Sequence, residues 1–195
     1  MPVRRAAVAR GSSRNPQLAP LVVLALNTGM RKQEIEGLTW ERVDLAADFG
    51  LSARITLYKT KSGKPRGIPL NRDAIEALLA VEADPDKRTG LVFRRGEIRT
   101  SFENAVARAD IPNFRFHDLR HTFASHFMIR GGNLYDLKEI LGHSDMKMTM
   151  RYAHLSPHHL HGSIAKVEGL AKIRPTAHES AQSAPEAASV EGRET

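Results

Sequence analysis

Six side chains in five short segments together supply what transfer of a phosphoryl group to a tyrosine would need. The segments are TGMRKQE (28–34), KTKSGKPRGIPL (59–70), HDLRH (117–121), LGHSD (141–145) and MRYAH (150–154). They offer Arg31, Lys61, His117, Arg120, His143 and Tyr152: two guanidiniums, an ammonium, two imidazoles and a phenol. When a phosphodiester is attacked, its non-bridging oxygens gain negative charge. Stabilising that charge is usually the largest single catalytic contribution. Arginine suits the task without a metal, because it is always charged and its planar fork matches phosphate bidentately. Arg31 and Arg120 are the two candidate clamps. Glu34, at i+3 from Arg31, is placed to hold that guanidinium. Arg120, at i+3 from His117, shares a helix face with it.

Tyr152 is one of three tyrosines. Tyr58 falls in a predicted strand and Tyr135 in an amphipathic helix, where both read as core or rim. Tyr152 instead follows the cationic Arg151 and precedes Ala-His. A phenol with a pKa of about 10 attacks poorly unless cations lower that pKa or a base takes its proton; the other segments offer both. His117 titrates near neutrality and is a candidate general base or phosphate donor. His117 and His121 form an HxxxH pair, a spacing that metal sites use. No third ligand is evident, however, and Asp118 stands where HExxH has its Glu. The cluster His158, His159 and His161 reads as solvent-facing. Lys61 sits at the tip of a predicted hairpin, where an ammonium can protonate a leaving 5′-oxygen. Lys59 and Lys64 are its rivals. Lys59, Lys64, Arg66 and Arg151 read as DNA contacts to phosphate that position the protein without reading bases. Singly, these residues have plainer readings as surface arginines, a core histidine and a packing tyrosine. It is the combination that points to chemistry.

The elements that must position them follow from periodicity and caps. An apolar helix is predicted from Pro20 to Asn27, with Gly29 as its stop, and a second from Arg31 to Leu38 that buries Ile35 and Leu38. Trp40, Val43 and Leu45 read as loop. ARITLYKT and PRGIPL read as the two strands of a β-hairpin with lysines at its tip. Asn71 caps a helix carrying Ile75, Leu78 and Leu79. Residues 91–93 read as a short buried strand, and Thr100–Ala109 as another helix. His117–Arg130 forms a helix with Leu119, Phe123 and Phe127 on one face, ended by Gly131-Gly132. Asn133 caps a helix closed by Gly142. Ser144 or Asp145 starts the next, which carries Tyr152, and Ser156-Pro157 opens a last one.

Charge and composition narrow the class. Of the formal +7, residues 175–195 hold Arg193 against Glu179, Glu186, Glu191 and Glu194, a net −3 that leaves +10 on residues 1–174. A body this basic favours polyanions, nucleic acid first. With no cysteine in the chain, disulfides, thiolate zinc sites and cysteine nucleophiles are excluded. The longest apolar stretch, Ala19 to Leu26, is far shorter than the about 20 residues that span a bilayer, and no export signal is evident. A cytoplasmic location is expected. The organisation expected is a basic flexible lead-in (1–15), one catalytic domain (16–174) and a disordered Ala/Ser/Glu/Pro tail (175–195).

The five segments in this order resemble the tyrosine recombinase (phage integrase) family over residues 20–172. The resemblance implies a mainly α catalytic domain with a small antiparallel sheet, an α+β class. It implies that Arg31 and Arg120 are catalytic arginines, with Glu34 as the acidic companion of the first. It picks Lys61, by counting back from Ile68-Pro69-Leu70, as the catalytic lysine. It makes His117 and His143 catalytic histidines and Tyr152 the nucleophile. The implied reaction forms a covalent 3′-phosphotyrosine and a free 5′-hydroxyl on double-stranded DNA, and needs no cofactor, neither ATP nor metal. Family members act as tetramers on paired sites and commonly exchange C-terminal segments, a role open to the helix after Ser156. They usually carry an N-terminal DNA-clamping domain. Here only about 20 residues precede the first apolar helix, so the clamp is expected to be missing or supplied by a recombinase partner. The competing readings are a non-cleaving DNA-binding remnant or accessory subunit, a type IB topoisomerase and a metal-dependent nuclease.

Overall fold

The computed structural model describes residues 15–45, 53–58, 65–94 and 98–156. Leu18–Thr28 forms α1, which buries Leu18, Leu21, Val22, Leu24 and Ala25. It ends at Gly29 as expected. There a φ of 63° turns the chain left-handed, and the Gly29 N–H donates to the Ala25 carbonyl at 3.1 Å. A Cβ on Gly29 would lie 2.4 Å from the Phe123 ring, so close packing demands glycine here as much as the backbone does. Lys32–Glu36 forms α2, shorter than the predicted run to Leu38, yet Ile35 and Leu38 are both buried.

Three antiparallel strands follow in the order β1-β2-β3: β1 (Val43–Asp44), β2 (Arg54–Leu57) and β3 (Arg66–Pro69). Strands β2 and β3 are the predicted hairpin, with Ile55 opposite Ile68 and Leu57 opposite Arg66. Lys59, Lys61 and Lys64 lie outside the described residues. Strand β1 stands where the sequence reads as loop. Two residues suffice for it, since Val43 pairs with Ile55 and Asp44 with Arg54. The predicted strand at 91–93 reduces to one bridge between Leu91 and Thr39, after which Val92 and Phe93 turn into the core.

The remaining helices are α3 (Arg72–Val81), α4 (Ile98–Arg108), α5 (Phe116–Ile129), α6 (Leu134–Leu141) and α7 (Lys147–Met150). The predicted caps form: Asn71 accepts from the Ala74 N–H at 3.0 Å, and Asn133 from the Tyr135 N–H at 2.7 Å. Together the elements are mainly helical with a small antiparallel sheet, the expected class. The lead-in up to residue 14, the helix after Ser156, the cluster His158, His159 and His161, and the tail lie outside the described residues.

Two apolar clusters organise these elements. The larger gathers α1, α2, the sheet, α3, α4 and Leu119 of α5. Each fully buried Leu or Ile in it contributes about 1.5–3 kcal/mol. The smaller holds Ala124 and Met128 of α5, Leu137 and Leu141 of α6, and Tyr152. Helix α5 therefore belongs to both, and the candidate site lies along it.

Candidate active site

The C-terminal end of α6 gathers three guanidiniums. The last carbonyls of a helix have no partner within it and carry a partial negative charge of about −0.5. Leu141 O accepts from Arg66 Nη1 at 2.9 Å and from Arg120 Nη2 at 2.7 Å. Gly142 O accepts from Arg31 Nη2 at 3.3 Å. Arg120 Nη1 also donates to Gly29 O at 2.7 Å, tying the site to the end of α1. Gly142 closes α6 with a φ of 64°, and a Cβ there would collide with the Arg66 guanidinium. Left-handed backbone and proximity again both require glycine.

Glu34 locks the set from the other side. Arg31 is the N-cap of α2. Its N–H donates to Glu34 Oε2 at 2.7 Å, and its Nη1 donates to Oε1 at 2.9 Å. Arg66 Nη2 donates to the same Oε2 at 2.8 Å. The anchoring of Arg31 by Glu34 expected from i+3 spacing thus extends to a second arginine. Three guanidiniums face one carboxylate and one helix end, an excess of roughly +1.5. A phosphodiester, and still more its attacked form, would offset that excess.

The histidines sit at different depths around this cation cluster. Burial, then the Arg31 and Arg66 charges, lowers the Arg120 pKa to about 10, so it stays cationic at neutral pH. Burial, then Arg120, Arg31 and Arg66, pushes His143 down to about 4. His143 is therefore a neutral hydrogen-bonding group at neutral pH. Its Nδ1 lies 2.9 Å from Thr149 Oγ1; if that hydroxyl donates, Nε2 carries the imidazole proton. His117 is also lowered, by partial enclosure of its ring first and then by His121 and Arg120. Arg120 and His117 share a side of α5 as expected, but Arg120 is 4% exposed whereas His117 stays at the surface.

Tyr152 is buried in the smaller cluster, 6% exposed, whereas Tyr58 and Tyr135 are 62% and 70% exposed. The reading of those two as core or rim is corrected: their side chains face solvent. Tyr152 is not carried by a helix, as the sequence suggested. α7 ends at Met150, and Tyr152 stands in the turn before the 3-10 segment Ala153–Leu155. Its Oη lies 2.5 Å from His121 Nδ1. Burial raises its pKa, against the opposing pull of Arg151 and Arg120. The cations that were to activate the phenol are present, but burial outweighs them.

The structure brings together Arg31, Glu34, Arg120, His117, His143 and Tyr152, while Lys61 lies outside the described residues. Arg66, expected as a surface DNA contact, is turned inward, its side chain 8% exposed and paired with Glu34. Alternation explains the correction, because Arg66 shares its strand face with the buried Ile68. Arg151 is exposed. His121 was singled out only for metal spacing. Among the described residues no group of three His, Asp or Glu side chains is placed to hold a metal ion, and the Nδ1 of His121 is engaged with Tyr152.

Comparison with known proteins agrees with this fold. The integrase of Haemophilus phage HP1 is 46% identical over 156 residues, covering 78% of this chain and 42% of that protein. The chain spans a similar 43% of the integrase of Escherichia phage 186, to which it is 37% identical. The solved catalytic domain of bacteriophage HP1 integrase superposes with a TM-score of 0.70 at 39% identity, over 88% of this chain and 97% of that one. The Tn1549 transposon integrase, solved in complex with circular intermediate DNA, shares the fold at a TM-score of 0.62 and 21% identity, over 88% of this chain and 66% of that one. The phage integrase family profile matches residues 6–159, and the chain belongs to that family.

Proposed function

We propose that this chain breaks and rejoins double-stranded DNA as a site-specific tyrosine recombinase. The observation that carries the reading is the convergence of Arg31 and Arg120 on the end of α6, beside the single buried tyrosine among the described residues. In this reading the guanidiniums hold the scissile phosphate. His117, at the rim, and neutral His143 donate hydrogen bonds to its oxygens. Tyr152 Oη attacks phosphorus, displacing the 5′-oxygen and leaving a 3′-phosphotyrosine. Lys61 protonates the leaving oxygen, and a second 5′-hydroxyl reverses the step on another strand. Arg66 acts through Glu34, and Arg151, with Lys59 and Lys64, grips the DNA backbone. The Tn1549 integrase–DNA complexes support a DNA substrate. The same reading includes assembly as a tetramer on DNA, with a recombinase partner supplying further DNA grip, and a cytoplasmic location. Among the described residues no helix is long and apolar enough to cross a membrane.

Covalent trapping tests the proposal. The purified chain, with chelator present, is incubated with nicked duplexes drawn from the junctions beside its own gene. A denaturant-resistant protein–DNA band that disappears in Tyr152→Phe is expected. A band that persists in that variant, or cleavage abolished by chelator, overturns it. Salt-sensitive DNA binding without any band would instead favour a non-cleaving DNA-binding subunit.

A further inference from the structure

His121 has no role in the mechanism above, yet it makes the closest polar contact to the reacting atom. It lies one residue after Arg120 on α5, and its Nδ1 is 2.5 Å from Tyr152 Oη. The His117 ring stands edge-on against it, with centroids 4.8 Å apart and planes at 85°. The HxxxH spacing thus stacks two imidazoles on one helix face, with the second ring against the phenol. The two rings take separate positions: His117 is at the surface and has no hydrogen bond to Tyr152, whereas His121 is half-buried and has one.

A base is needed here. Tyr152 is buried, and burial holds its proton more tightly than in water. The nearby arginines are permanently charged and cannot accept a proton. An imidazole can, and its hydrogen bond already aims the phenol proton at its lone pair if Nε2 carries the ring proton.

Resting on the recombinase reading, we infer that His121, and not His117, is the general base for Tyr152. As the Oη–P bond forms, the Tyr152 proton passes to His121 Nδ1. The P–O5′ bond breaks, and the departing 5′-oxygen takes its proton from the site's general acid. In the reverse step a 5′-hydroxyl attacks phosphorus, the P–Oη bond breaks, and the His121 imidazolium returns the proton to Tyr152. The neutral imidazole and the phenol are thereby restored together.

Two measurements on the full chain decide this. In the trapping assay, His121→Asn keeps an acceptor near the Nδ1 position but cannot hold the proton. A general base is worth about 10²–10⁴-fold, so adduct formation by both His121→Asn and His121→Ala is expected to fall by that factor. Added imidazole is expected to restore part of the rate of His121→Ala. Cleavage by His121→Asn at close to the native rate would reduce His121 to a hydrogen-bonding prop and overturn the proposal. Nitrogen-15 NMR of the native chain at neutral pH reads the tautomer without DNA. An Nε2–H ring, whose Nδ1 resonance shifts in Tyr152→Phe, is expected. An Nδ1–H ring donating to the phenol oxygen would overturn the proposal. A native chain that forms no adduct at all would count against the recombinase reading, while the tautomer still judges the His121–Tyr152 pair.

Discussion

The arginine cradle and the tyrosine turn lie side by side but are built in opposite ways. Arg31, Arg66 and Arg120 are held by carbonyls of α6 and of Gly29 and by the shared Glu34 carboxylate, so each guanidinium has at least two fixed partners. Tyr152 follows a helix of four residues, sits in a small apolar cluster, and fixes its hydroxyl through His121. The charge-stabilising half is set before substrate arrives, which is what electrostatic preorganisation requires. The half proposed to make and break a covalent bond follows a helix of only four residues and sits in the smaller cluster, and short, lightly packed segments are the ones that open most readily.

The comparison is broken most severely at Arg120. Arg120→Ala would leave Gly29 O without its buried donor and Leu141 O with only Arg66, and an unsatisfied buried group costs about 1–3 kcal/mol. Urea unfolding is expected to show a loss of about 1.5–3 kcal/mol, together with loss of the covalent adduct. A smaller loss, with the adduct retained, would mean that the cradle is not preformed. Next is Gly142→Ala. Its left-handed backbone costs about 1–3 kcal/mol with a side chain, and its Cβ displaces Arg66. Adduct formation should fall along with stability, even though none of the proposed catalytic side chains changes.

The tyrosine side responds more gently. Thr149 is fully buried and its hydroxyl meets His143. Thr149→Val is expected to cost about 0.5–1.5 kcal/mol; a cost matching that of Arg120→Ala would erase the contrast between the regions. The last effect is a pH slope. The His143 pKa is lowered from 6.5 to about 4 in the folded chain, so between those values the unfolded chain binds the proton first. Its contribution to stability is therefore complete above about pH 6.5 and is lost as pH falls toward 4. His117 is lowered too and tilts the curve the same way. Unfolding curves across this window should flatten in His143→Gln, and an unchanged slope would place His143 in water.

Much of this was legible in the chain. Gly29 and Gly142 mark helix ends because a left-handed residue is needed there, and Arg31, Arg120 and Tyr152 are carried by motifs whose order reports the family. Arg66 was misread from its lysine-rich neighbourhood, although strand alternation with Ile68 already placed it inside. His121 was visible only as spacing, because a contact between residues 31 positions apart depends on how the turn after α7 docks. Strand β1 carried no signal, since two residues are too few for a period to appear.

The anchoring of three arginines on one helix end also has a consequence in time. The bonds that assemble the cradle close spans of 75, 91 and 111 residues. Such distant partners meet only after long loops have been closed, which is the slow part of folding. With α6 undocked the Glu34 and Gly29 bonds could still form, but the helix-end carbonyls that hold Arg31, Arg66 and Arg120 together would be absent. The cradle is therefore complete only when these distant segments have met, and phosphate binding by this chain would double as a reporter that they have.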